Sequence, residues 1–265
     1  MELLKEIKNI IKWHELLWQM VGREVKSRYK QSILGYAWVI LNPLAQMLVM
    51  SFAFSIILRI PTNSSSHIPY SIFLFVALLP WNLFSTSLIA STSSLVNSSS
   101  LITKVYFPRT ILVISAILSK IVDFLFALII LIIYMIIYQM PISANIMWVI
   151  PIFIIQQIFT LGVSLFLAAS NLLYRDIQYL LTLILTLWFY ITPVIYPADI
   201  VPERYKIFFQ INPMAVIINA YRQTILGNGA PNYLSLFIAL GVSIVTLYFG
   251  FSYFKSREKI FADNI

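Results

Sequence analysis

Six long apolar runs, separated by shorter polar segments, dominate the pattern of this chain. They cover residues 36–58, 70–90, 110–138, 147–173, 179–196 and 233–253, and each contains between 18 and 29 residues. A helix needs about 20 apolar residues to cross the hydrocarbon core of a bilayer. Stretches such as 124–138 are apolar throughout, whereas the strands of a membrane β-barrel alternate. The pattern therefore predicts an all-α integral membrane protein with six transmembrane helices.

The first 32 residues show an amphipathic pattern instead. Apolar side chains recur at i, i+3, i+4, i+7 and i+8, which places them on one face of a helix. This face is formed by Trp13, Leu16, Leu17, Met20 and Val21. A basic amphipathic helix beside a membrane span is typical of a segment that lies in the bilayer surface. It either only anchors the chain there or also contacts a cytoplasmic partner through its polar face.

Composition narrows the class of protein. Hydrophobic residues make up 60% of the 265 positions and charged residues 11%, which excludes a soluble globular enzyme and a disordered chain. Most of the 18 Lys and Arg residues fall on the side of the predicted membrane that holds both termini. Positive charge marks the cytoplasmic side, so we expect cytoplasmic termini. The net charge of +8 therefore indicates contact with a membrane surface and not binding of nucleic acid.

The chain lacks the residues of a motor or a metal centre. It contains no Cys, its two histidines lie far apart, and no GxxxxGK[ST] phosphate-binding loop is present. We therefore expect no metal and no cofactor in this chain. The pattern is that of a membrane conduit that takes its energy from another protein.

Residues 91–109 connect the second and third predicted spans on the cytoplasmic side. Ser and Asn at 97–100 offer N-caps for a short helix over 101–107, and Pro108 ends it. The apolar and basic residues from 101 to 109 are Leu101, Ile102, Lys104, Val105, Tyr106, Phe107 and Arg109. An apolar patch facing the cytoplasm indicates either a docking site for another protein or a segment that packs back on the bundle.

The third predicted span carries Lys120 and Asp123, which lie three residues apart and hence on one helical face. A charge near the bilayer centre costs about 2.5–3.5 kcal/mol on insertion scales. Pairing of the two side chains reduces this cost, and we favour pairing over the alternative of a proton relay.

Two helical stripes combine polar and aromatic side chains. On the first span the stripe contains Trp38, Asn42 and Phe52. On the fifth span Thr182, Thr186 and Phe189 share a face, with Trp188 and Tyr190 beside them. Aromatic rings along a polar-edged path suit a sugar chain, because the C–H faces of sugar rings pack on them. Ordinary helix packing is the alternative explanation.

The segment 197–226 is broken by prolines on the outer side. Residues 203–210 and 213–226 are each predicted to form a short helix, the second with Asn212 as N-cap and Pro213 in the first turn. The second piece is too short to span, so it is re-entrant or interfacial. It forms either the rim of a pathway or a simple interfacial cap.

Five strings, taken in order, resemble one known family. They are the segment 23–44 (REVKSRYKQSILGYAWVILNPL), KVYFPR at 104–109, NLLYRD at 171–176, TPVIYP at 192–197 and NPMAVIINAYR at 212–222. Together they resemble the membrane subunit of ABC exporters for O-antigen, capsule and teichoic acid polymers.

The resemblance implies an inner-membrane permease that forms a homodimer and binds two copies of a separate ATPase. ATP and Mg²⁺ would be bound by that partner, and the substrate would be an undecaprenyl-diphosphate-linked polysaccharide. The 97–107 helix would dock on the ATPase, and spans one and five of two subunits would line a channel. The implied periplasmic gate residues are Pro197, Glu203, Tyr205, Pro213, Tyr221 and Arg222. Arg28, Tyr29 and Lys30 would lie where the diphosphate headgroup arrives.

Two other functions remain open. The same architecture could export a small amphiphile such as a drug, haem or a lipid. A membrane enzyme acting on polyprenyl-linked sugars would need a cluster of acids, for which only Asp199 and Glu203 are candidates. In each case we expect one transmembrane domain over 1–265, made of an interface segment (1–32), a six-helix core (36–253) and a cytoplasmic tail (254–265).

Overall fold

The regular elements of the chain are all helices within the residues that the computed structural model describes, which are 2–29, 35, 37–57, 68–140, 143–227 and 229–261. The helices are α1 (Glu2–Lys12), α2 (His14–Tyr29), α3 (Ala37–Ser51), α4 (Tyr70–Asn97), α5 (Ser99–Lys104), α6 (Thr110–Ile137), α7 (Val149–Leu173), α8 (Ile177–Ile191), α9 (Lys206–Ile211), α10 (Pro213–Ile225) and α11 (Tyr233–Glu258). A π-helical segment, Phe52–Ile57, continues α3. Short 3₁₀ turns occur at Ala144–Trp148, Ala198–Ile200 and Glu203–Tyr205.

Five helical segments within the described ranges are long and apolar enough to cross a membrane. They are Ala37–Ile57, Tyr70–Asn97, Thr110–Ile137, Ala144–Leu173 and Tyr233–Glu258. The fifth predicted span is shorter than expected, because α8 has only 15 residues. Its length is about 22 Å at a rise of about 1.5 Å per residue, against a hydrocarbon core of about 30 Å. Pro193 explains the early end, since a residue that precedes proline is disfavoured in a helix. A total of six spans stays a prediction.

Helix α4 lies at the centre of the bundle and α3 at its surface. In the most apolar 18-residue window of α4, 72% of the residues are buried, against 6% in Ala37–Ile57. Helix α4 packs against α3, α6, α7, α8 and α10. Helix α3 consequently presents a broad apolar surface, with Leu48, Val49 and Phe52 exposed.

Helices α7 and α11 make a close crossing that depends on two glycines. A Cβ atom on Gly250 would overlap the carbonyl oxygen of Gly162, and one on Gly162 would overlap the backbone at Leu247. Small residues let two membrane helices approach until their backbones touch. Gly162 and Gly250 therefore set the distance between these helices.

The N-terminal helices, the 98–109 segment and the end of α11 meet at one end of the bundle, which we call the basal end. Leu17 and Met20 of α2 share a hydrophobic cluster with Ile102, Phe107 and Phe254. Of the amphipathic face predicted for the first 32 residues, Leu17, Met20 and Val21 are buried, and Trp13 and Leu16 are half-buried. This face packs on the bundle itself. Helices α9 and α10 lie at the opposite end, which we call the hairpin end.

Two predicted boundaries were wrong. Helix α4 continues to Asn97, so the first residues of the predicted 91–109 connection are helical. The short helix is Ser99–Lys104 and not 101–107, because the chain becomes extended at Val105 ahead of Pro108. Helix α11 continues to Glu258, so the first residues of the predicted tail 254–265 are helical, and the tail itself stays a prediction.

Candidate functional site

A cavity of about 500 Å³ opens between α3, α4 and α6, beside the last turn of α2. Its walls are apolar where α4 and α6 face it, and polar side chains from all four helices reach into it. The polar and charged residues that line it are Arg28, Asn42, Gln46, Asn82, Thr86, Lys120 and Asp123. A largely apolar pocket with a few converging polar groups is the usual form of a ligand site.

The charged groups of the cavity form a cluster around Asp123. Its carboxylate accepts a hydrogen bond from the Arg28 guanidinium and lies 3.8 Å from Lys120 Nζ. The same guanidinium donates to the Ser119 hydroxyl at 2.6 Å. The predicted pairing of Lys120 with Asp123 is confirmed, and Arg28 joins it from α2. Two cations and one carboxylate line this part of the cavity, and the nearby Glu24 carboxylate offsets part of the remaining positive charge.

An amide pair joins the other two helices of the cavity. The Asn82 side-chain amide of α4 donates to Gln46 Oε1 of α3 at 2.9 Å. Hydrogen bonds of this kind hold neighbouring membrane helices together. Trp38 and Asn42, predicted as channel residues, line the same cavity. Phe52, the third residue of that stripe, lies exposed farther along the chain.

The stripe predicted on α8 is divided between two environments. Trp188 and Phe189 pack in an aromatic cluster with Trp81 and Phe84, where the Trp188 and Phe84 ring centroids lie 5.3 Å apart. The Trp188 indole N–H also donates to Asn212 Oδ1 at 3.1 Å. The remaining members, Thr182, Thr186 and Tyr190, lie on the exposed face of α8. The structure therefore separates them from the cavity that contains Trp38.

The predicted docking residues also divide into two groups. Ile102 and Phe107 are buried in the basal cluster. Lys104, Val105 and Tyr106 are exposed, and Tyr106 has 93% of its surface accessible. Leu101 is half-buried against the same cluster. The buried residues fix the segment to the bundle, so the exposed ones project away from it.

Polar contacts join the basal end across the chain. The Glu6 carboxylate accepts from the Thr110 hydroxyl at 2.6 Å and pairs with Lys255 at 2.9 Å. Arg109 donates to the Glu258 carbonyl at 2.6 Å, so it contacts α11 from the predicted docking segment. These contacts place the N-terminal helix, the 98–109 segment and the C-terminal helix on one side of the bundle.

At the hairpin end, Arg222 is the central residue. Its guanidinium donates to the backbone carbonyls of Pro193, Val194 and Tyr196 at 2.5–3.1 Å and stacks over the Phe73 ring. The predicted N-cap is confirmed, since Asn212 Oδ1 accepts from the Met214 N–H.

The other predicted gate residues differ in exposure. Pro197, Pro213 and Tyr221 are buried, whereas Glu203 and Tyr205 are exposed. Of the three residues predicted near the headgroup, Arg28 reaches the cavity and Tyr29 ends α2. Lys30 lies outside the described residues.

Comparison with known proteins decides the family. Residues 15–226 match the ABC-2 type transporter family. The chain belongs to the ABC-2 type transporter family. The matched region contains the cavity, the docking segment and both hairpin helices of this ABC-2 membrane protein.

Several named proteins are similar to this ABC-2 family member over nearly their whole length. The O-antigen export system permease protein RfbA of Myxococcus xanthus is 32% identical over 99% of this chain and 100% of that protein. RfbA of Klebsiella pneumoniae is 32% identical over 94% of both chains. The polysialic acid transport protein KpsM of Escherichia coli is 23% identical over 89% of this chain and 91% of that protein.

Sequence reasoning missed two contacts of this ABC-2 family member. Arg28 and Asp123 are separated by 95 positions, and Glu6 and Thr110 by 104. One signal was available, because a carboxylate inside an apolar helix requires more compensation than one neighbouring lysine supplies. Nothing in the local pattern, however, indicates which distant cation provides it.

Proposed function

We propose that this chain is the membrane subunit of an ATP-driven exporter that moves an undecaprenyl-diphosphate-linked polysaccharide across the cytoplasmic membrane. The observation that carries this proposal is the likeness to O-antigen export permeases over the full length of both chains. The aligned regions include the residues of the cavity, the docking segment and the hairpin end.

A separate ATPase supplies the energy for export. Two copies of it bind the permease, and each copy binds ATP and Mg²⁺. The exposed side chains of Lys104, Val105 and Tyr106 support a docking site at the basal end. Their backbone is held by Ile102 and Phe107, so a push on this segment is transmitted to α2 and α6. An arrangement of this kind suits the transfer of motion from a partner.

The working permease is a homodimer in this proposal. The exposed apolar surfaces of α3 and α8 support it, because a second copy could cover them and enclose a channel. Thr182, Thr186 and Tyr190 of α8 would then face the channel together with Trp38 of α3. The hairpin residues Pro197, Glu203, Tyr205, Pro213, Tyr221 and Arg222 would form the gate on the periplasmic side.

The charged cluster serves as the first contact of the substrate headgroup. The cationic side chains of Arg28 and Lys120 next to a largely apolar cavity suit a lipid-linked diphosphate. Both termini are cytoplasmic in this arrangement. Basic residues gather at the basal end, and positive charge marks the cytoplasmic side.

A small amphiphile is the second candidate substrate, and the size of the cavity favours it. About 500 Å³ lies within the roughly 300–1,000 Å³ of pockets for drug-sized ligands. A polymer, by contrast, needs a continuous path through the dimer.

Deletion of the gene in the source organism distinguishes these functions. We expect polysaccharide to disappear from the cell surface while lipid-linked polymer accumulates inside, and complementation by the intact chain should restore export. Unchanged surface polysaccharide together with increased sensitivity to amphiphilic drugs would overturn the proposal in favour of the second candidate.

A further inference from the structure

A second cavity lies at the hairpin end, on the opposite end of the bundle from the docking segment. It has a volume of about 260 Å³ and opens between the hairpin helices and the start of α11. Its floor is apolar, since Pro193, Ala215 and Leu236 are buried. None of the predicted channel or gate residues lines this cavity.

The rim of the cavity is rich in amides. Gln210, Asn219, Gln223 and Asn232 line it, together with the carboxylate of Asp199. Each amide supplies two N–H donors and one carbonyl acceptor, and a carboxylate only accepts. Hydroxyl groups both donate and accept, so a ligand carrying several hydroxyl groups satisfies this mixture.

Helix α10 holds two of these amides side by side. Asn219 and Gln223 are four residues apart and therefore neighbours on one helical face. Both side chains are half-buried, so their positions are constrained. Asn232 caps α11 through its Oδ1, which accepts from the Ser235 N–H at 3.1 Å, and this orients its amide nitrogen as well.

Phe209 provides an aromatic surface beside the amides. Its ring meets the Tyr196 ring edge-on, with centroids 6.5 Å apart, which limits its rotation. The C–H face of a sugar ring packs on such a surface while its hydroxyl groups bond at the edges. No Lys or Arg is among the described residues that line the cavity, so it lacks the cations that a phosphate or diphosphate requires.

We propose that this cavity binds an uncharged segment of one or two sugar rings of the polymer as it leaves the outer face. The proposal rests on the proposed function, which supplies the polysaccharide. The volume limits the bound segment to this small size, since about 260 Å³ is below the roughly 300 Å³ at which pockets for drug-sized ligands begin. The site would slow backward movement of the chain between successive power strokes.

The test uses the complete transporter with its ATPase in lipid nanodiscs. The probe is a mixture of short oligosaccharides released by mild acid from the surface polysaccharide of the source organism, and binding is measured by calorimetry. We expect the double variant Asn219→Ala, Gln223→Ala to bind these fragments about tenfold more weakly, because two hydrogen bonds are lost. Alanine favours the helix at both positions, so the fold is expected to persist.

A matched control and an anion probe complete the design. Asn97→Ala removes an exposed amide at the basal end of α4 and should leave fragment binding unchanged. Inorganic pyrophosphate should not compete with the fragments for the hairpin-end cavity. The proposal is overturned if the fragments bind the double variant as tightly as the native protein, if they do not bind the native protein, or if pyrophosphate displaces them.

The gene deletion separates this inference from the proposed function. Persistence of surface polysaccharide after deletion refutes the function and the inference with it. Loss of surface polysaccharide, combined with unaltered fragment binding by the double variant, refutes the sugar site alone.

Discussion

Arg222 is a buried side chain that connects several segments at the hairpin end. It is 4% exposed, and it joins α10 to the turn after α8 and to the first turns of α4. A hydrogen bond to a charged group contributes about 1.5–3 kcal/mol, so several of them from one guanidinium are a major stabilising contact. The 193–197 turn has two prolines and no regular helix, and Arg222 donates to its carbonyls at Pro193, Val194 and Tyr196 instead.

We therefore expect Arg222→Met to destabilise the protein strongly, with a clear fall in the melting temperature of the detergent-solubilised chain. Arg222→Lys should be intermediate, since one ammonium cannot reproduce the directed donors of a guanidinium. Arg204→Met, which removes an exposed arginine of the same hairpin, is the control. Equal melting temperatures for the variants at 222 and 204 would show that the carbonyl contacts contribute little.

The effects of substitutions at Arg28 and Asp123 on the stability of the protein should depend on each other, because the two side chains are in contact. Asp123→Asn removes the carboxylate that contacts both Arg28 and Lys120, so it should be more harmful than Arg28→Gln. The double variant Arg28→Gln, Asp123→Asn should lose less stability than the two single losses added together. We expect a coupling of about 0.5–3 kcal/mol, as is usual for residues in one charged network.

Thermal unfolding in nanodiscs measures this cycle. Arg23→Gln is the control on the same helix, because Arg23 is exposed and contacts Ser98 and Glu24 outside the cavity. Strict additivity of the two single variants would mean that the pair does not act as a unit.

At the scale of elements, the crossing of α7 and α11 brings two helix backbones into direct contact. Gly250→Leu forces a side chain into the backbone of the facing helix, so the two helices must separate. We expect loss of the folded, monodisperse protein on size-exclusion chromatography, and a milder defect for Gly250→Ala.

Gly241→Ala provides a control on the same helix. Nothing lies within 4 Å of the Cβ that this substitution adds. Alanine is favoured over glycine in helices by roughly 0.5–1 kcal/mol, so this variant should be as stable as the native protein or slightly more stable. A similar defect for the two alanine variants would rule out the close approach as the cause.

At the scale of the whole molecule, two neighbouring residues are expected to affect the ATPase complex differently, because Tyr106 is exposed and Phe107 is buried. Tyr106→Ala removes an exposed ring, so it should abolish co-purification with the ATPase while the melting temperature stays constant. Phe107→Ala empties a buried site and should cost about 3–5 kcal/mol of stability.

Pull-down of the ATPase and thermal unfolding of the permease, performed on both variants, separate the two effects. If Tyr106→Ala retains the partner and its ATP hydrolysis remains stimulated, docking occurs elsewhere. Ser100→Ala, an exposed change in the neighbouring short helix, controls for nonspecific disturbance.

The sequence predicted the parts of the molecule that follow from local rules. Long apolar runs identified α4, α6, α7 and α11, and the Asn-Pro pair at 212–213 identified the start of α10. Local rules overestimated the length of α8, because the apolar run continues through 192–196 although the helix ends at Ile191, ahead of Pro193. They also grouped Trp188 and Phe189 with Thr182 and Thr186 as channel residues and left helix packing open, since helical spacing does not reveal which face a neighbouring helix covers.

Contacts between distant positions were beyond these rules. The cavity exists because α2 returns to α6 through Arg28, and because Asn82 and Gln46 join α4 to α3. Each contact depends on the packing of whole helices, which short-range patterns do not specify. The charge of Lys120 and Asp123 did mark the correct region, because buried ions always need partners.

The backbone contact between Gly162 and Gly250 constrains how the protein can move. The two helices cannot move closer together at this crossing, because no side chain separates their backbones there. We expect any widening during transport to involve the more exposed helices α3 and α8 instead. A ligand bound against α3 should therefore inhibit transport, whereas one bound to the outer surface of α11 should not.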